Sequence, residues 1–96
     1  MEFEWDKNKN KSNLEKHGVD FNQAKEVFSD KDKIEITDNR TDYGEERKKI
    51  IGKAMDMILS VIYTMRDKTV RLISARAASR KERKDYNNKK QHNNEN

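Results

Sequence analysis

Strict alternation of apolar and polar residues in KIEIT (33–37) predicts an edge or half-buried strand. RKKIIGKA (47–54) reads as a second strand, and the near-continuous apolar run MILSVIY (57–63) as a central one buried on both faces. A tight turn at Asp67 and Lys68 separates it from a fourth strand, TVRLISA (69–75). TDYGEE (41–46) is turn-rich around Gly44.

Helical signals flank these strands. Phe3-Glu4-Trp5 is a short strand or extended lead-in, and Asp6 is placed to cap a helix running to about His17. Gly18 then stands where a left-handed C-cap glycine belongs. Asp20-Phe-Asn-Gln23 has the form of a capping box, with Val19 as its hydrophobic staple. The helix it starts puts Phe21, Ala24 and Phe28 on one face. Ser79-Arg-Lys-Glu82 is a further capping box, opening a last helix from Arg80 to about Lys89. The order is two helices, four strands joined by short turns, and a basic helix. Short turns imply an antiparallel meander, and helices packed on it make a two-layer α+β fold. The expected organisation is a single domain over 1–86 followed by a disordered polar tail over 87–96.

Composition narrows the function classes. Hydrophobic residues make up 31% of the chain and charged residues 42%, so the core is small. A net charge of +4 suits a nucleic acid or an acidic protein as partner. The absence of cysteine excludes disulfides and thiolate chemistry. No apolar run is long enough to span a membrane and MEFEWDKNK has no signal-peptide core, which predicts a cytoplasmic protein. Arg80, Lys81 and Arg83 crowd the first turn of the last helix, just after Arg76. A helix N-terminus already carries partial positive charge, so these residues cost stability there. Local rules are broken this way at functional sites, and the simplest beneficiary is a polyanion.

The segments FEWDKNKNKSNLEKHGVDF, GEERKKIIGKA and RLISARAASRKERKDY together resemble the BrnT family of bacterial type II toxins. The matching residues include Phe3, Trp5, Asp6, Asn13, His17 and Phe21, then Gly44, Glu45, Arg47 and Gly52, then the run 71–76 with Glu82, Arg83 and Tyr86. The resemblance implies a compact fold similar to RelE-type toxins and an endoribonuclease that inhibits translation. It also implies a BrnA-type ribbon-helix-helix antitoxin, in a two-fold symmetric complex that binds promoter DNA. Two positions depart from the family's pattern. Met65 stands where an acidic residue often follows Tyr-Thr, and Lys7 replaces a proline after Trp-Asp.

Metal-independent RNA cleavage needs a base for the 2′-hydroxyl, cations for the crowded phosphate and an acid for the leaving oxygen. Arg76, Arg80 and Arg83 are candidate phosphate clamps, since guanidinium matches phosphate geometry. On the bland reading they form a solvated helix or an antitoxin-docking face. Arg71 shares the face of Ile73 by simple alternation; it pairs with Glu45 or Glu46 or faces the substrate. His17 is a candidate base or acid, or else a cap on its helix C-terminus, and Lys16 beside it is a second candidate phosphate contact. Glu82 fits the capping box, with a general base or an orienter of arginine as the functional alternative. Tyr63 and Tyr86 either contact bases or complete the core, and Trp5 is a core anchor. Acidic residues and the two histidines show no metal-ligand spacing, and no Gly-rich phosphate loop or cofactor motif is present. The rival to catalysis is a nucleic-acid- or antitoxin-binding module acting as corepressor.

Overall fold

The computed structural model describes residues 1–38 and 46–94, with the backbone alone at 38 and 92–94. The turn-rich segment 41–46 therefore lies outside the described residues except for Glu46. The elements are β1 (Glu2–Glu4), α1 (Lys7–His17), α2 (Phe21–Ala24) with a 3₁₀ turn (Lys25–Ser29), β2 (Ile34–Asp38), β3 (Arg47–Ala54), β4 (Met57–Arg66), β5 (Thr69–Ala77) and α3 (Arg80–Asn94). The fold is α+β, as the element order implies. The sheet has five strands in the order β1-β5-β4-β3-β2, not four. The lead-in Glu2–Glu4 is a true strand, and it pairs parallel to β5, which makes the sheet mixed rather than purely antiparallel. Three residues carry too weak a pattern to reveal a parallel pairing made with the far end of the chain.

The capping chemistry decides where the helices begin and end. The Asp6 carboxylate accepts from the backbone N–H groups of Asn8 and Lys9 at 2.8 and 3.1 Å. Gly18 closes α1 in the left-handed region at φ 71°, where a side chain would be strained. Asp20 caps α2 through the Asn22 N–H at 2.8 Å. Asn10 of α1 holds the same junction, accepting from the Phe21 N–H at 2.9 Å. α3 runs on to Asn94, past Lys89 and into the segment assigned to a polar tail.

The sheet buries different chemistry on its two faces. Val19, Phe21, Ala24 and Val27 pack on Ile50, Ala54, Leu59, Val61, Tyr63, Val70, Leu72 and Ala75. Phe3, Trp5 and Phe28 extend that core, with Phe28 stacked edge-on against Tyr63 at 4.9 Å. Gly52 lets the 3₁₀ turn approach β3, since a Cβ there would meet the Val27 Cβ at 3.0 Å. The opposite face carries a smaller cluster, Ile51, Ala78 and Tyr86 with Ile34 and Ile58, under α3. β4 is the central strand and β2 an edge, as their patterns predict. Among the described residues, no helix is long and apolar enough to cross a membrane.

Beyond the three residues paired with β1, the outer edge of β5 is closed by a side chain. Asn13 of α1 is buried, donates to the Ala75 carbonyl at 2.8 Å and accepts from the Ala75 N–H at 3.1 Å. It also donates to the Val19 carbonyl at 2.9 Å. Its carboxamide thus takes the place of a neighbouring strand and locks α1 to the sheet. Asn13→Ala leaves both Ala75 groups buried and unpaired, so we expect a loss of about 2–3 kcal/mol in stability. Urea denaturation checks this, with Leu14→Ala on the exposed side of α1 as the neutral control.

Candidate functional site

The sheet register places the cations. On the face that α3 partly covers, β4 presents Ser60, Ile62 and Thr64, whose partners on β3 are Ile51, Lys49 and Arg47. Their partners on β5 are Arg76, Ser74 and Arg71. Arg71 and Arg76 are five residues apart, so unbroken alternation would send them to opposite faces. A register shift lies between them: Tyr63 pairs with Leu72 but Ile62 pairs with Ser74, leaving Ile73 as an extra residue on β5. This bulge turns both arginines to the same face. It also breaks the simple alternation that links Arg71 to Ile73.

Glu82 sits at the centre of the covered end. It is 8% exposed, and its two oxygens accept five hydrogen bonds from four groups. Arg76 donates at 2.8 and 3.2 Å, Lys49 at 2.8 Å, the Ser79 N–H at 2.8 Å and the Ser60 hydroxyl at 3.4 Å. The capping box is complete, because the Glu82 N–H donates back to the Ser79 hydroxyl at 3.2 Å. Burial by itself pushes the Glu82 carboxyl up, but the hydrogen bonds from Arg76, Lys49 and Ser79 outweigh it and hold the group well below the usual carboxylate range. The carboxylate therefore stays charged and keeps both cations oriented.

A model of the family described as ribonuclease toxin, BrnT, of type II toxin-antitoxin system matches residues 5–82, most of the chain. The chain belongs to this family. A comparison with curated proteins finds no match. Membership in the BrnT family implies an RNA substrate and an antitoxin partner.

In this BrnT-family chain the candidate residues separate into groups. Arg76 and Glu82 are in direct contact. Lys49, which no sequence motif marks, joins them as a third member, visible only once β3 is paired and α3 is laid across it. Arg80 is exposed and makes no hydrogen bond or ion pair among the described residues. Arg83 donates to the Ala78 carbonyl at 2.8 Å, tying the helix start to the strand end. Lys16 and His17, at the exposed end of α1, line a shallow depression with Lys9, Ser12, Asn13, Ile73 and Ser74. Ser74, which lines it, lies two residues from Arg76 on the same face of β5.

Arg71 pairs with Glu4 at 3.6 Å. Glu46 instead approaches Lys48 at 3.8 Å, and Glu45 lies outside the described residues. The tyrosines belong to other surroundings. Tyr63 is 4% exposed on the opposite face of the sheet; burial, then the nearby Glu35 carboxylate, pushes its hydroxyl up to about 12. Tyr86 is buried on the sheet-facing side of α3 and donates to Asp30 at 2.6 Å; burial and that carboxylate hold its hydroxyl well above the ordinary value. Met65 is exposed at the end of β4.

The lowered pKa of Glu82 links folding to pH. Stability from this carboxylate is fully present above its ordinary 4.5 and is lost as pH falls toward the folded-state value. We expect the protein to lose stability on acidification below about pH 4.5, and Glu82→Gln to show a weaker acid dependence on a lower baseline. Denaturation midpoints measured between pH 3 and pH 7 check both points; the same acid slope in the two proteins contradicts the assignment.

Proposed function

We propose that this chain is an endoribonuclease that cleaves RNA without a metal ion and thereby inhibits translation in the cytoplasm. The observation that carries the reading is the convergence of Arg76 and Lys49 on the buried Glu82 carboxylate, on a sheet face bordered by Arg80, Arg83 and the His17 depression. Fixed cations in a partly desolvated site supply the charge stabilisation that phosphoryl transfer demands. The RelE-like fold implied by the sequence resemblance is part of the same proposal, supported by a sheet with one helix laid across its basic face.

The reaction follows from these roles. A base removes the 2′-hydroxyl proton, the 2′-oxygen bonds to the adjacent phosphorus, and the bond to the 5′-oxygen breaks. The leaving oxygen takes a proton, and the products are a 2′,3′-cyclic phosphate and a 5′-hydroxyl. Arg76 and Lys49 neutralise the charge that builds on the non-bridging oxygens. Arg80 and Arg83 flank the RNA backbone from α3, and Lys16 contacts a phosphate from α1. His17 is the proton-transfer group, because an imidazole can serve as general base and as general acid. Glu82 is an orienter of Arg76 and Lys49 rather than the base, since five hydrogen bonds occupy its oxygens. Tyr63 and Tyr86 support the site through the core.

The partner is a BrnA-type antitoxin with a ribbon-helix-helix region. Its dimer gives a two-fold assembly with one toxin per antitoxin chain. An acidic surface over Arg76, Arg80 and Arg83 blocks RNA and relieves repulsion among these cations. Promoter DNA is bound by the complex and not sequence-specifically by the toxin.

RNA incubated with purified protein in EDTA should be cut, leaving cyclic phosphate ends. RNA that stays intact, both free and on ribosomes, contradicts the assignment. Arg80→Ala should retain stability and lose activity, whereas Arg76→Ala should lose about 10²–10³ in rate and some stability as well, because Glu82 loses a partner. A fully toxic, normally folded Arg80→Ala protein removes Arg80 from the site.

For the complex, crosslinks from the antitoxin should reach α3 and the cationic sheet face, and binding should weaken with salt. An antitoxin seated only on the α1 and α2 side overturns this placement.

A further inference from the structure

Four lysines stand on α1, and helical geometry sorts them. At about 100° per residue, Lys9, Ser12, Asn13, Lys16 and His17 fall on one side of the helix, whereas Lys7 and Lys11 fall on the other. The first group lines the depression against Ile73 and Ser74 of β5. Asn13 is fully engaged there, since its carboxamide binds the Val19 and Ala75 backbone. The remaining polar side chains are uncommitted. Lys9, Ser12, Lys16, His17 and Ser74 make no side-chain hydrogen bond or ion pair among the described residues. No carboxylate is among the described residues that line the depression. Asp6 lies near enough to Lys9 to feel its charge, but its carboxylate accepts from the Asn8 and Lys9 N–H groups. The bulge residue Ile73 forms part of the wall, between Arg71, the last partner of β1, and the Asn13 anchor at Ala75. Two ammonium groups, two hydroxyls and an imidazole thus line a solvent-open hollow that has no negative charge of its own.

We propose that this depression holds a backbone phosphate of RNA, the neighbour of the phosphate gripped by Arg76 and Lys49, with Lys9, Ser12, Lys16 and Ser74 as its ligands. The inference rests on the ribonuclease reading of the Arg76 cluster and adds where the adjoining phosphate goes. A phosphodiester presents two non-bridging oxygens, each able to accept more than one hydrogen bond, so ammonium and hydroxyl donors fill them together. Ser74 and Arg76 are two residues apart on one face of β5, about 7 Å along the strand. That is comparable with one phosphodiester step, so the two phosphates belong to one strand with a single sugar between them. Ile73 is the one apolar residue among those described in the lining, so the hollow selects phosphate rather than base. Lys7 and Lys11 carry the same charge on the same helix and face away from it, so they separate a built site from a diffusely basic helix.

The test measures binding of 2′-O-methyl dinucleotides, which cannot be cleaved, to the full chain. One probe carries only the internal phosphate, and two others carry a second phosphate at the 5′ or the 3′ end. At one of the two ends the second phosphate should tighten wild-type binding by about tenfold or more, the worth of a hydrogen bond to a charged group. Lys9→Ala and Ser12→Ala should lose most of that gain and keep the affinity for the single-phosphate probe. Lys9→Arg should retain the gain. Lys7→Ala and Lys11→Ala should bind every probe like the wild type. All of these side chains are exposed, so each variant should keep the wild-type urea midpoint. No gain from either terminal phosphate overturns the subsite, as does a gain that survives in both Lys9→Ala and Ser12→Ala. An equal loss in the Lys7 and Lys9 variants also overturns it, because the helix then acts only as a basic surface. Arg76→Ala tests the cluster separately: if it binds the single-phosphate probe like the wild type, the cluster reading fails, whatever the outcome at Lys9.

Discussion

The buried carboxylate of Glu82 is the interaction on which the rest depends. An ionised carboxylate withdrawn from water is costly unless its oxygens are filled, and here five donors fill them. The donors come from β3, β4, β5 and the start of α3, so one group fastens the helix to three strands. The apolar cluster beneath α3 is small, with only Ile51, Ala78 and Tyr86 buried. Hydrophobic burial alone would hold the helix weakly. Tyr86 on Asp30 and Lys89 on the Lys33 carbonyl add two further polar anchors, at 2.6 and 2.7 Å. The basic first turn of α3 opposes its own dipole, and Glu82 offsets this by placing a negative charge at that helix start.

The sheet separates two tasks by face. Nearly all of the aromatic and aliphatic mass lies on the α2 side, where the larger core forms. The other face is left for cations, with polar Ser60 and Thr64 and a half-buried Ile62 on its central strand. Such a face would repel itself if it were fully exposed. It is tolerated because Glu82, Glu4 and the backbone carbonyls of Ala77 and Ala78 take up part of the arginine and lysine donors. Arg80, exposed at the start of α3, adds a further positive charge at the border of this face, which suits a ligand that brings its own negative charge.

Much of this was legible locally. The capping residues Asp6, Gly18, Asp20 and the Ser79–Glu82 pair act over three or four residues, so their spacing carries the information. The alternation of β2 and the apolar run of β4 gave their positions in the sheet for the same reason. What sequence did not disclose depends on distant partners. The parallel pairing of Glu2–Glu4 with β5 has no local signature. Lys49 looks like any lysine in a strand until α3 brings Glu82 to it. Asn13 reads as an ordinary polar helix position, although its partner lies 62 residues away. Tyr63 and Tyr86 could be read either as ligands or as core, and burial decides for core.

The bulge at Ile73 shows how these distant partners reach the chemistry. Parity along β5 decides which face each arginine meets, and one extra residue reverses it. Such an insertion could slide along the strand unless both sides are pinned. β1 pins the residues before it, pairing with Thr69, Val70 and Arg71. Asn13 pins the residue after it, binding both backbone groups of Ala75. The extra residue is thereby trapped between 71 and 75, and Arg71 and Arg76 stay on one face. The N-terminal strand contacts the cationic surface through the Glu4–Arg71 ion pair, but its larger effect, shared with α1, is geometric. They set its geometry by fixing the register of the strand that carries two of its arginines.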